Sequence, residues 1–179
     1  MAARPSCTGP SSSWAAQDRT DATVERVRRA GPQDSDRCRD LLATARAESA
    51  TARGGDLLVP PDADPSSWLD QPDRVLLVGL FDEVVVGLAA GRVVVDLAVD
   101  RAAGQAADRI GHVDCCYVET GARGVGVGES LIGGLLGWFG EQGCTGVDAL
   151  ALPGDRSTKQ LLENAGFKAR LLVLHRRLP

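Results

Sequence analysis

Aromatic side chains are scarce in this chain: three Trp, three Phe and one Tyr make up only 4% of 179 residues. A core must therefore be assembled from Val, Leu and Ala. Long apolar runs are also missing. Leu131 to Phe139 falls far short of the ~20 residues that cross a bilayer, which argues against a membrane partner. Residues 1–21 lack the apolar stretch of a secretory signal. The five cysteines (Cys7, Cys38, Cys115, Cys116 and Cys144) are odd in number and form no C-x-x-C pair. Neither a zinc site nor a disulfide framework is expected, and a reducing, cytoplasmic setting fits. No basic stripe is visible beyond short Arg pairs, and the formal net charge is −4 with a pI near 5.2. That balance argues against nucleic acid and favours a cationic partner only weakly.

The length suits one α/β domain with a proper core and is short for two. Hydrophobic residues reach 44% and charged residues 25%, the proportions of a soluble globular chain. Residues 1–22, rich in Ala, Ser and Pro, read as a flexible tail, with Trp14 an exposed ring or an anchor; residues 23–179 form the domain. Thr23 to Ala30 reads as an edge strand. A helix over 34–50 carries an apolar stripe of Cys38, Leu41, Leu42 and Ala45 at i, i+3, i+4 and i+7. After a Pro/Gly-rich loop, three strands follow: Arg74 to Phe81, Val84 to about Val95, and Ile110 to Val118. The first two are joined by a tight Asp82-Glu83 turn, and Gly87 or Gly91 is placed to form a bulge. Then come a helix over 129–142, a short buried strand over 147–152, a helix over 155–164 stopped by Gly166, and a last strand over 167–177. Gly133, Gly134, Gly137 and Gly140 in the first of these helices cost helix propensity and suggest close packing on the sheet. The order implies a mixed sheet, an antiparallel meander followed by a helical crossover to a parallel partner.

Twenty-one glycines are an excess, and they concentrate where a strand meets a helix, in Arg123-Gly124-Val125-Gly126-Val127-Gly128-Glu129. Glycine lets backbone approach a ligand without a Cβ in the way. The first amides of the following helix are unpaired, and the helix dipole adds partial positive charge, so phosphate oxygens are well matched here. Arg123 can add a charge-assisted bond. The Walker pattern is absent, and G-x-G-x-x-G fails in both registers. The strand before the turn also comes late in a meander, where a dinucleotide-binding unit would begin with it.

Read with its strand, CYVETGARGVGVGESLI resembles the acetyl-CoA motif of the GNAT acetyltransferase superfamily, V-x-x-x-x-[RQ]-x-x-G-x-[GA], through Val118, Arg123, Gly126 and Gly128. Downstream, DRSTKQLLENAGF is similar to the family's second cofactor helix through Leu161, Glu163, Gly166 and Phe167. The likeness spans roughly residues 24 to 177, and the LPGDR…HRRL segment also resembles small actinobacterial members of unassigned substrate. The resemblance implies an α/β GNAT fold. Its sheet is mixed, mostly antiparallel, of six to seven strands flanked by helices, with a splayed parallel pair at the centre. It further implies acetyl-CoA as cosubstrate, its pantetheine arm paired with the backbone of Cys116, Tyr117 and Val118, and its diphosphate on the turn. A backbone amide near Val118 would face the thioester oxygen. Asp155 stands where the family has an Asn and can still cap its helix.

Transfer to an amine needs the amine neutral, so a base or water relay is expected. The family places such a base on the third strand of the meander, at positions here held by His112 and Asp114. These share a face by strand parity, whereas Tyr117 has the other parity and reads as core or cofactor-flanking. Histidine suits the role near neutral pH. Equally, His112 reads as a hydrogen-bonded sheet residue and Asp114 as a cross-strand partner. Glu119 is a weaker candidate. The family's acid, a helix tyrosine, is replaced by Leu162. Cys115, Cys116 and Cys144 read as structural, as do Trp138, Phe139 and His175. The expected activity is direct transfer of acetyl from acetyl-CoA to a small-molecule or peptide amine. A non-catalytic acyl-CoA-binding or regulatory domain is the alternative, and a nucleotide-binding module a third reading. Relatives often dimerise through sheet edges, so a homodimer is open.

Overall fold

The computed structural model describes residues 26–52, 54, 64–96, 108–172, 174 and 176. The tail of residues 1–22, Trp14 and His175 lie outside them. A sheet of five strands, in the order β1-β2-β3-β4-β5, runs through the described chain. Its strands are β1 (Arg26–Arg29), β2 (Arg74–Phe81), β3 (Val84–Asp96), β4 (Asp108–Val118) and β5 (Gly146–Ala149). The first four pair antiparallel, and β5 joins β4 in parallel. Helix α1 (Ser35–Ala50) covers one face; α2 (Val127–Glu141) and α3 (Arg156–Asn164) cover the other.

Alternation along the strands sorts the core into two layers. The stripe Cys38, Leu41, Leu42 and Ala45 is buried, packing with Trp68, Leu76, Val78, Leu88, Ala90 and Tyr117. On the opposite face Leu131, Ile132, Leu135, Trp138 and Phe139 of α2 pack on Val75, Leu77, Ala89 and Val113. Among the α2 glycines only Gly134 is pressed on the sheet, where a Cβ would sit 2.9 Å from a Leu77 methyl. Gly133, Gly137 and Gly140 face open space, so the close-packing expectation fails for them. The β2–β3 hairpin turns on Asp82 and Glu83, both at positive φ (48° and 63°), which matches strand twist.

Two irregularities shape β3 and β4. Val86 is an extra residue beside Gly87, because Gly79 faces Gly87 and Leu80 faces Val85. Asp114 is an extra residue on β4, because Ala90 faces Cys115 while Gly91 faces Val113. A bulge of this kind restarts the alternation. Tyr117 therefore joins the α1 layer together with Cys115, while Cys116 joins the α2 layer. The simple parity count that set Tyr117 apart from His112 and Asp114 is corrected by this one residue.

The end of the chain also differs from expectation. Residues 167–172, 174 and 176 carry no strand, and Leu171, Leu172 and Leu174 are exposed. Their apolar pattern suits a strand, but no ladder partner meets them among the described residues. The sheet therefore counts five strands where six to seven were expected. β5 is likewise shorter than 147–152, ending at Ala149 where β4 turns away.

Candidate active site

β4 and β5 pair only from Ile110–Gly146 to Val113–Ala149. Beyond that point β4 continues to Val118 against β3 alone, and the two parallel strands part. A cleft of about 1150 Å³ fills the gap and opens on both faces of the sheet. Toward α1 its walls carry Glu48, Trp68, Arg74, Arg92, His112 and Asp114; toward α2 and α3 they carry Cys116, Val118, Gly124, Gly128, Asp155 and Leu161.

The glycine turn closes one mouth. Gly124 (φ 81°) and Gly126 (φ 98°) sit in left-handed conformations that a side chain strongly disfavours. Gly126 is the N-cap of α2. The first bonded amide of this helix is Ser130, which donates to the Gly126 carbonyl at 2.9 Å. Among the described residues no backbone carbonyl takes the N–H groups of Gly124 through Glu129. A row of unpaired amides at a helix start is an anion cradle. Gly124, Gly128 and Glu129 line the cleft; Val125 is exposed, and Val127 is buried against the sheet. On the facing wall Asp155 caps α3 by accepting from the Thr158 amide at 3.0 Å. Burial works against the Asp155 charge, but bonds from Thr158 and Ser157 prevail and hold its pKa below the ordinary value.

Arg123 is committed to the protein rather than left at the cradle's mouth. Its Nε donates to the Val118 carbonyl at 2.8 Å, its Nη2 to Glu48 at 2.6 Å, and its guanidinium lies 5.5 Å from the Tyr117 ring centre. Tyr117 donates its hydroxyl to the same Glu48 carboxylate at 2.7 Å. Burial, and then that carboxylate, push the phenol up to about 12. The bonds from Arg123 and Tyr117 lower the Glu48 pKa. Glu48 carries no local sequence signal, being one acidic residue on a helix surface. Only the fold reveals it.

Toward the other mouth, His112 and Asp114 meet as their shared parity implies. Nδ1 of His112 lies 3.2 Å from Oδ1 of Asp114. Asp114 also accepts from Nη1 of Arg74 at 3.3 Å and from Nη1 of Arg92. A proton on Nδ1, facing the carboxylate, leaves the Nε2 lone pair of His112 for a substrate. Glu119 is bound to Arg37 at 2.6 Å and stands apart from this group. Leu162 contributes an apolar wall. Cys115 and Cys116 are held as thiols by burial, Cys116 up to about 12, which fits packing rather than nucleophilic use. No metal-binding group of His, Cys, Asp or Glu exists among the described residues, and no described helix is long and apolar enough to cross a membrane.

Residues 41–167 match the family model of the acetyltransferase (GNAT) family. The chain belongs to that family and is an acyltransferase by class. No curated protein matches the sequence. Among solved structures, the aminoglycoside N-acetyltransferase AAC(6')-Iy in complex with CoA superposes with a TM-score of 0.65 at 17% identity, covering 88% of this chain and 97% of that one. The aminoglycoside acetyltransferase meta-AAC0020 from an uncultured soil metagenomic sample, in complex with trehalose, gives 0.64 at 17% identity, covering 87% and 95%. A variant of the BH1408 protein from Bacillus halodurans gives 0.72 at 14% identity, covering 86% and 99%. At these identities the likeness is one of fold.

Proposed function

We propose that this protein moves the acetyl group of acetyl-CoA to an amine by direct attack, with His112 as the base and Asp114 as the group that orients it. The observation that carries this reading is the single cleft: it joins the free amides of the glycine turn to the His112–Asp114 pair through the opening between β4 and β5. The diphosphate of CoA fits the amides of the turn, and the pantetheine arm fits the unpaired edge of β4 from Cys116 to Val118. The acetyl carbon would then lie within the opening. The amine nitrogen attacks that carbon, a C–N bond forms and the C–S bond breaks. His112 Nε2 takes the proton lost by the amine, and the thiolate of CoA takes one from solvent. Asp114, engaged by three donors, serves better to fix the His112 ring than to accept a proton itself.

The test is thiol release from acetyl-CoA over a panel of amines. Amine-dependent release, lost in His112→Ala, supports the reading; release that is independent of amine sinks it. Leu162 favours a second reading, an acyl-CoA-binding domain without catalysis, because the cleft wall offers an alkyl group where the related helix carries a tyrosine. Saturable CoA binding with no turnover on any amine would establish that alternative.

A further inference from the structure

We propose that the acceptor is a small amine bearing a carboxylate a few bonds from its nitrogen, held by Arg74 and Arg92. This deepens the transferase reading above and rests on it.

Arg74, Arg92 and His112 form one row across three strands: Arg74 is the register partner of Arg92, and Arg92 of His112. Two guanidinium groups on facing positions repel, and sheets ordinarily avoid that placement. Here a single carboxylate, Asp114, answers both, taking one nitrogen from each. The three side chains therefore retain a surplus positive charge, and all line the cleft. Side-chain exposure is 24% for Arg74, 35% for Arg92 and 13% for Asp114, so the cations face the open volume while the anion is tucked between them. Among the described residues no acceptor bonds Nε or Nη2 of either arginine. Those forks suit a carboxylate. Arg74 also rests 5.7 Å from the Trp68 ring centre, which keeps its plane fixed.

On β5 the row continues into Asp148, the register partner of His112, so a carboxylate stands on the amine side of the row rather than between the arginines. Asp64, which also lines the cleft, is already spent on its own turn, accepting from Ser66 N at 3.1 Å and from Ser66 Oγ at 2.6 Å. Neighbouring strands lie about 4.8 Å apart. An acid on Arg92 and an amine at His112 are therefore separated by the span of an amino acid.

The test compares matched pairs on the full chain: glycine against methylamine, phenylalanine against phenethylamine, with kanamycin as a polycation. The acid-bearing member should exceed its partner in kcat/KM by about tenfold or more, the worth of a charged hydrogen-bond pair. Arg92→Gln should bring that ratio toward one. Preference for the decarboxylated amines or for kanamycin, or a ratio unmoved by Arg92→Gln, overturns the proposal.

Binding is read separately by quenching of tryptophan fluorescence with N-acetylglycine and N-methylacetamide. Saturable quenching by the acid alone, lost in Arg92→Gln, supports the anion site even without turnover, and in that event the transferase reading fails by itself. Absence of saturable quenching by N-acetylglycine, together with absence of turnover on both amino acids, overturns the anion site.

Discussion

Glu48 on α1 and Arg123 in the glycine turn are joined at 2.6 Å, across 75 residues of chain. The same carboxylate holds Tyr117, while Arg123 reaches back to the Val118 carbonyl. The loop that presents free amides is thus tied both to the first helix and to the end of β4. Both side chains are exposed, at 45% for Arg123 and 42% for Glu48, so the ion pair itself contributes little to stability. Its effect should be on order in the turn. Glu48→Gln should therefore weaken CoA binding several-fold while leaving Tm nearly unchanged, as seen by calorimetric titration beside a thermal melt. A large fall in Tm with unaltered CoA affinity would contradict this assignment.

Gly128 separates space for the fold from space for the ligand. A Cβ there would meet Leu161 methyls at 3.4 and 3.5 Å, ordinary contact distances. Alanine also favours a helix over glycine by about 1 kcal/mol. Gly128→Ala should therefore melt no lower than the parent, while its Cβ stands in the cleft at the cradle. CoA affinity is expected to drop about tenfold, equivalent to 1.4 kcal/mol. An unchanged dissociation constant would place the diphosphate elsewhere.

The two candidates for the base should separate kinetically. Loss of a positioned base costs about 10²-fold or more in turnover, so His112→Ala should fall by that amount. Asp114→Asn keeps an acceptor toward His112 Nδ1 but releases the charge that both arginines share. Its effect should appear in KM for the acceptor as well as in kcat. Steady-state measurements at saturating acetyl-CoA distinguish the two patterns.

The α2 layer depends on a missing side chain at Gly111. A Cβ at this position would lie 2.6 Å from Cγ and Cδ1 of the Phe139 ring. Gly111→Ala should destabilise by about 1–3 kcal/mol through overpacking. Pairing it with Phe139→Leu should recover part of the loss, which urea denaturation of the single and double variants would show.

Acid should reach the fold through Asp34. This buried carboxylate accepts from Arg28 at 2.6 and 2.8 Å and from the Gly31 amide at 2.8 Å. The Arg28 bonds hold its pKa below the usual carboxylate value, even though burial works the other way. The stabilisation is therefore complete above the unfolded carboxyl value of about 3.9 and disappears as pH falls through the lower folded value. Asp34→Asn should cost about 2 kcal/mol at neutral pH. It should also flatten the acid limb of the stability curve, measured by denaturant unfolding from pH 7 downward.

These residues show what a linear reading can and cannot supply. The α1 stripe was legible because Leu41 and Leu42 follow a helical period. The turn with its unbonded amides was legible because glycines crowd a strand-to-helix junction. The His112–Asp114 pairing followed from parity, since the bulge falls at Asp114 itself and leaves the two on one face. Beyond that point the count broke, because a single extra residue reverses the facing of everything after it, Tyr117 included. Glu48 and the Arg74–Arg92 row depend on helix placement and on hairpin register, neither of which has a local pattern. The final strand looked apolar enough, but pairing is decided by a neighbour rather than by composition.

The parting of β4 from β5 has a kinetic consequence. On the proposed reading, a sheet open from front to back would give donor and acceptor separate doors, so neither would have to depart before the other arrives. Initial-velocity plots should accordingly show converging lines, the mark of a ternary complex, in place of the parallel lines of a shuttle through an acylated side chain.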